Sequence, residues 1–156
     1  DPDLTAHDIA KSIHSFVQQQ QGRAGLVIID DGKWFRCSGK PASADKTKEL
    51  VKTLKNVALE CKIPIILTAE VDSQLEERSD KRPLLSDVYP LSPLGNMADM
   101  AFFLYRPAYY DENCHSEQEQ EAQCIVQKNS NGPCGIVYLG FNGACLQFED
   151  GRFEFD

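Results

Sequence analysis

The chain has 156 residues, with 16 basic against 24 acidic side chains and a formal net charge of −8. A chain of that length buries about two thirds of its unfolded surface, enough for one domain whose core needs no disulfide staple. Its longest apolar runs (26–29, 63–67 and 101–105) fall far short of the roughly 20 residues of a membrane helix. The acidic balance is also a poor start for sequence-independent nucleic-acid binding, which rests on Lys and Arg neutralising phosphates.

No basic segment followed by an apolar one opens the chain, so a secretory signal is not expected and the reading is cytoplasmic. The first residue is Asp1 rather than Met, which points to trimming or to a piece of a longer protein. The six cysteines, Cys37, Cys61, Cys114, Cys124, Cys134 and Cys145, form no Cys-x-x-Cys pair and have no His at zinc spacing. They read as reduced core and loop thiols.

Thr5-Ala6-His7-Asp8 has the pattern of a capping box, and Ile9, Ile13, Phe16 and Val17 follow as one apolar stripe of a helix reaching about Gln20. His7 and His14 lie seven apart on that helix and read as surface or edge imidazoles rather than metal ligands, since no third ligand is near. Gly22 to Gly25 ends it, and Leu26 to Asp30 reads as a short apolar strand buried on both faces, with a carboxylate at its end. Leu50, Val51, Leu54, Val57, Ala58 and Cys61 then repeat at helical spacing, and Ile63 to Thr68 supplies a second strand. Strand, helix, strand predicts a βαβ unit with parallel pairing.

A long polar, Pro-punctuated segment from Glu70 to Asn96 reads as a loop, and Ala98 to Tyr105 as a third apolar strand. Glu112 to Glu121 reads as a solvated loop tip. Asn131-Gly132, Asn142-Gly143 and Asp150-Gly151 mark tight hairpin turns between strands at 123–128, 135–141, 144–149 and 152–155. The total is an α/β domain, a parallel core sheet flanked by helices with a C-terminal antiparallel β-meander.

Ligands on an open parallel sheet collect outside the carboxyl ends of its strands, which would gather Asp30, the 68–72 segment and the residues after Arg106. Asp30 has two readings: a magnesium-holding acid of Walker-B type, or a carboxylate that caps its loop. Gly-x-x-x-x-Gly-Lys-[Ser/Thr], Gly-x-Gly-x-x-Gly and Gly-x-Ser-x-Gly are all absent from the 156 residues. With only His7, His14 and His115 in the chain, a Ser or Cys nucleophile is expected to lack a base.

From Asp80-Lys81-Arg82-Pro83-Leu84-Leu85-Ser86-Asp87 onward the sequence resembles one family, the DnaB-type replicative DNA helicases. Ala98-Asp99, Phe103 to Arg106, Tyr109-Tyr110, the Lys128-x-x-Asn131-Gly132-Pro133-x-Gly135-x-Val137-x-Leu139 run and Phe141-Asn142-Gly143 continue it in order. Upstream, Gly25 to Asp30 resembles the Walker-B strand, and Ile63-Pro64 to Arg78 the strand and segment that carry a sensor glutamine. The resemblance implies a partial RecA-like P-loop NTPase fold over residues 1–156. It further implies a ring hexamer that binds Mg-ATP between subunits and grips single-stranded DNA with channel loops. The chain begins after the family's phosphate-binding loop, so Asp30 would hold magnesium only if such a loop lies upstream.

The same resemblance exposes departures. Where the family has its sensor Gln, then Asn and Arg, this chain has Glu70, Asp72 and Ser73. A carboxylate facing a γ-phosphate in a poorly screened site weakens affinity by like-charge repulsion. The family's channel-loop Arg-Glu-Ser-Gly stands here as Tyr89-Pro90-Leu91-Ser92, and its arginine finger as Ser130, with Lys128 retained. Loss of such a finger is worth about 10³ to 10⁵ in rate.

Three functional readings follow. The chain is a helicase C-terminal domain fragment or paralogue related to ATP-dependent DNA unwinding but without ATPase activity alone, for which no cofactor is expected. It is a scaffold that self-associates or binds a helicase or replication protein. Or it belongs to an active Mg-ATP-dependent helicase whose phosphate-binding loop lies upstream of residue 1. Arg78, Lys81, Arg82 and Tyr89 are the DNA-loop candidates, with weak single-stranded DNA contact at most. The competing reading of those cations is a solvated loop held by ion pairs with Glu76, Glu77 and Asp80.

Overall fold

The computed structural model describes residues 5–21, 25–30, 44–88, 97–110 and 121–150. The chain divides into two compact units, 1–72 with 88–98, and 73–87 with 99–156.

The first unit contains helix α1 (Ala6–Gln19), strand β1 (Val27–Ile29), helix α2 (Ala44–Cys61) and strand β2 (Ile65–Leu67). The capping box at the start of α1 forms as its sequence implies. Thr5 Oγ1 accepts from Asp8 N, and the Asp8 carboxylate accepts from Thr5 N, so two of the helix's orphan N–H groups are satisfied. The Thr5 hydroxyl also donates to the Asp8 carboxylate, and this bond, with the one from Thr5 N, holds the Asp8 carboxyl below its usual range.

Helix α2 ends in a Schellman-type turn. The Ile63 N–H reaches back to the Ala58 carbonyl at 3.1 Å while Lys62 turns through a left-handed φ of 55°. Glycine usually takes that position because it has no Cβ to clash.

The crossover makes β1 and β2 parallel, as the βαβ pattern predicts, in the register Val27↔Ile65, Ile28↔Ile66, Ile29↔Leu67. Strand side chains alternate. Val27, Ile29, Ile65 and Leu67 therefore pack on the core of Ile13, Leu50, Leu54, Val57 and Ile63 supplied by the two helices and the β2 approach. Ile28 and Ile66 point the other way. The expectation that β1 is buried on both faces is corrected here, since Ile28 is 60% exposed and the described helices cover one face only.

The second unit is built on a four-stranded antiparallel sheet in the order β3 (Met100–Tyr105), β4 (Glu121–Asn129), β5 (Gly135–Asn142), β6 (Gln147–Asp150). The third apolar strand of the sequence reading is β3, and its described partner is β4. The segment read as a loop carries short 3-10 turns at Ser73–Glu77 and Leu85–Asp87, and Leu75 of the first is buried. The sheet's buried residues include Ala122, Ile125 and Phe141. Phe141 meets Phe148 edge to face at 5.0 Å and lies under the Arg106 guanidinium at 3.7 Å.

The meander is present, but its turns differ from the two-residue hairpins expected. Neither Asn131 nor Asn142 takes a positive φ, and in the 143–146 connection it is Leu146 that does, at 55°. The strand expected at 152–155 and the loop tip at 112–121 lie outside the described residues, apart from Glu121, the first residue of β4.

Two substitutions with opposite signs test this account by urea unfolding. Leu54→Ala removes a buried side chain from the core and is expected to cost about 2–5 kcal/mol. Lys62→Gly relieves the left-handed position and is expected to leave stability unchanged or raise it by up to about 1 kcal/mol.

Candidate functional site

In the first unit the parallel register sets the carboxyl ends of β1 and β2 side by side. The Thr68 N–H donates to the Ile29 carbonyl at 3.0 Å, extending the ladder by one bond, and Thr68 Oγ1 donates to Asp30 Oδ1 at 2.7 Å. Asp30 is thus oriented at the strand end, exposed, with one oxygen committed to Thr68. Glu70 lies two residues beyond Thr68 and is also exposed.

A carboxylate and a hydroxyl are hard oxygen donors of the kind Mg²⁺ prefers. They do not make a nucleotide site by themselves. Among the described residues no group of three metal-ligating side chains occurs, and the neighbouring Glu70 is an exposed acid, not a cation or amide suited to a phosphate. The residues present therefore fit Mg-ATP only in part, at Asp30.

In the second unit Lys128 sits half-buried on β4 opposite Ala101. Ser130 leaves the strand with its N–H donating to the Asp99 carbonyl at 2.8 Å, its side chain exposed. The following turn is organised by Asn129. Its Oδ1 accepts from Asn131 N at 3.2 Å and its Nδ2 donates to the Pro133 carbonyl at 3.3 Å. A Cβ on Gly132 would sit 2.8 Å from Asn129 Nδ2, so a side chain there would displace the Asn129 amide from the turn it organises. Position 130 presents a short neutral hydroxyl beside a hydrogen-bonded turn where the helicase resemblance implies a long cation.

The DNA-loop candidates are engaged within the unit. Arg78 makes a two-pronged contact with Asp87, Nη1 to Oδ1 at 3.2 Å and Nη2 to Oδ2 at 2.7 Å, and Nη2 also donates to the Arg82 carbonyl. Asp87 Oδ2 accepts a further bond from Leu84 N. Lys81 Nζ donates to the Glu76 backbone carbonyl at 3.0 Å and lies 5.7 Å from the centre of the Tyr110 ring.

Arg82 Nε donates to Gln123 Oε1, its Nη1 is 3.6 Å from Asp80, and its guanidinium is 5.8 Å from the Tyr105 ring centre. Tyr105 and Tyr110 stack at 5.6 Å, and burial pushes both phenols up, which keeps them neutral. Tyr89 lies outside the described residues.

Two glutamines fix this segment to the sheet. Gln123 is the buried polar side chain of β4. Gln127 has no Cα partner on β3, because the register slips between Ala101 and Phe102. Its amide then bonds backbone as another strand would, Oε1 accepting from Leu85 N at 3.0 Å and Nε2 donating to the Pro83 carbonyl at 2.6 Å.

The sequence reading missed both glutamines, Asp87 and Thr68 as partners. Asp87 stood inside the recognised 80–87 motif, and Thr68 inside the segment expected beside Asp30. It placed His14 at the surface or an edge without naming its neighbours; His14 Nδ1 lies 3.3 Å from Cys61 Sγ and Nε2 lies 3.2 Å from Glu60 Oε2.

A family model of the DnaB-like helicase C-terminal domain matches residues 1–150. The replicative DNA helicase DnaB of Buchnera aphidicola subsp. Acyrthosiphon pisum is 40% identical over 150 residues, covering 94% of this chain and 32% of that protein. The replicative DNA helicase DnaC of Bacillus subtilis is 33% identical over 140 residues, 88% of this chain and 30% of the other.

Among solved structures, one of an ATPase domain aligns with a TM-score of 0.82 at 27% identity, over 95% of this chain and 52% of that one. A DnaB-like replicative helicase, solved for its interactions with primase, aligns equally well over 36% of its length. The chain spans about a third of the length of these curated relatives. It belongs to the DnaB-like helicase C-terminal domain family, and its fold is the RecA-like one of the helicase ATPase domains.

The anchoring of the 78–87 segment gives a direct test. Asp87→Ala strands the Arg78 guanidinium and the Leu84 N–H, and is expected to cost about 1–3 kcal/mol in urea unfolding of the chain. An unchanged midpoint would show that the pair contributes nothing to stability.

Proposed function

We propose that residues 1–156 form part of a single RecA-like domain of a replicative helicase, and that this stretch does not bind or hydrolyse ATP by itself. The observation that carries this reading is the pair of residues at the family's phosphate-facing positions, Glu70 and Ser130, a carboxylate and a hydroxyl where an amide and a guanidinium are implied. A carboxylate 4 Å from a phosphate charge costs about 4 kcal/mol at an effective dielectric near 20. Asp30, with Thr68 orienting it, would serve Mg-ATP if further polypeptide supplied a phosphate-binding loop, and Lys128 would reach the nucleotide of a neighbouring subunit in trans.

The exposed apolar residues support a role completed by other polypeptide. Ile28 and Ile66 form an outward row on the parallel pair, and Met100, Phe102 and Leu104 form another on β3, each about half exposed. On this reading the partners are a second copy, a helicase or another replication protein, with primase a natural candidate given the neighbour solved for its interactions with it. Single-stranded DNA contact through Arg78, Lys81 and Arg82 is weak, because each cation already has partners within the chain. Among the described residues no helix is long and apolar enough to cross a membrane, and a replication role puts the protein in the cytoplasm.

A ligand at a hundredfold excess over its dissociation constant adds about 2.7 kcal/mol of stability. The melting temperature of the chain is therefore expected not to rise with Mg-ATP, measured by differential scanning fluorimetry. A rise of several degrees would overturn the non-binding reading and favour the active helicase. Sedimentation over a wide concentration range is expected to show self-association, and strictly monomeric behaviour would remove the second copy as the partner.

A further inference from the structure

Cys61, the last residue of α2, is half-buried against the helical core and faces His14 on α1. The thiol sulfur is 3.3 Å from His14 Nδ1, and on the far side of the ring Nε2 is 3.2 Å from Glu60 Oε2. With Nε2–H donated to the carboxylate, Nδ1 presents its lone pair to the S–H. The result is a nucleophile, a base and a group that orients the base, in that order, brought together from residues 47 positions apart.

Glu60 Oε2, 3.2 Å from Nε2, orients the ring so that Nδ1 faces the sulfur. The last turn of α2 carries this acid and no basic residue, an unfavourable choice for the helix itself.

The other described cysteines lack this arrangement. Cys145 lies near neutral acceptors, the Asn142 carbonyl and Gln147 Oε1. Burial pushes the Cys124 thiol up, and the exposed Cys134 has no imidazole partner among the described residues.

We propose that Cys61 is a modification site, a thiol with His14 as its general base and Glu60 as the positioning residue, open to small soluble electrophiles and in particular to hydroperoxides. In the peroxide reaction His14 Nδ1 takes the thiol proton as sulfur attacks one peroxide oxygen. The S–O bond forms, the O–O bond breaks, and the departing hydroxide takes the proton from the imidazolium to leave as water. Sulfur is oxidised by two electrons to a sulfenic acid and the peroxide is reduced. The added oxygen sits where Cys61 packs against the core of the first unit, so modification loosens the contact between α1 and α2.

The test is the alkylation rate of each cysteine in the full chain with iodoacetamide, read by peptide mass spectrometry, alongside dimedone trapping after hydrogen peroxide. Cys61 is expected to react about tenfold faster in the folded chain than in urea, and His14→Gln to abolish that advantage. Glu60→Gln, a change on an exposed side chain, is expected to lower it severalfold while the unfolding midpoint holds. Slower reaction of Cys61 in the folded chain than in urea, or an unchanged rate in His14→Gln, would identify a merely structural thiol and overturn the proposal. The comparison of folded with unfolded wild type decides the question even where a variant fails to fold.

Discussion

The parallel pairing of Val27–Ile29 with Ile65–Leu67 is the constraint on which the first unit depends. Parallel strands cannot be joined by a tight turn, so a crossover is required, and α2 supplies it together with most of the core. Because the register places Ile29 opposite Leu67, the next residues, Asp30 and Thr68, meet at the strand ends and bond. The apolar alternation that seats Val27, Ile29, Ile65 and Leu67 on the helices also turns Ile28 and Ile66 outward. One geometric fact thereby fixes the core, the candidate acid and the open face.

The second unit solves a different problem. A Pro-containing segment at 78–87 has few regular backbone partners, yet Pro83 is buried and its carbonyl must be satisfied. Side chains take the place of a neighbouring strand. Gln127 bonds Pro83 and Leu85, Asp87 holds Leu84, and Arg78 and Arg82 reach across to the groups that remain. The basic residues that a sequence reader would reserve for nucleic acid are spent largely on this internal framework.

Much of the fold was legible because its signals are local or periodic. The capping box, the helical stripe from Leu50 to Cys61, the two apolar strands and the meander all repeat at periods that a single sequence displays. What escaped depends on pairings between residues far apart in sequence: Gln123 with Arg82, Gln127 with Pro83, Cys61 with His14. No periodicity announces such contacts. The turns at 130–134 and 143–146 were found but given the wrong geometry, since Asn-Gly signals a turn without saying which residue takes the left-handed conformation. At the candidate site, Asp30 is suggested by its strand end, and Glu70 and Ser130 only by likeness to the helicases.

The fastening of the 78–87 segment divides by charge. The Gln127 amide is neutral at both of its contacts, whereas the Arg78–Asp87 contact is an attraction between ions in a partly exposed place. Dissolved salt screens the second and leaves the first almost untouched. The segment therefore has an internal brace that responds to its ionic surroundings and, at Gln127, a bond to the sheet that does not. As ionic strength changes, the half around Arg78 can loosen while the Pro83–Leu85 half keeps its place on the sheet.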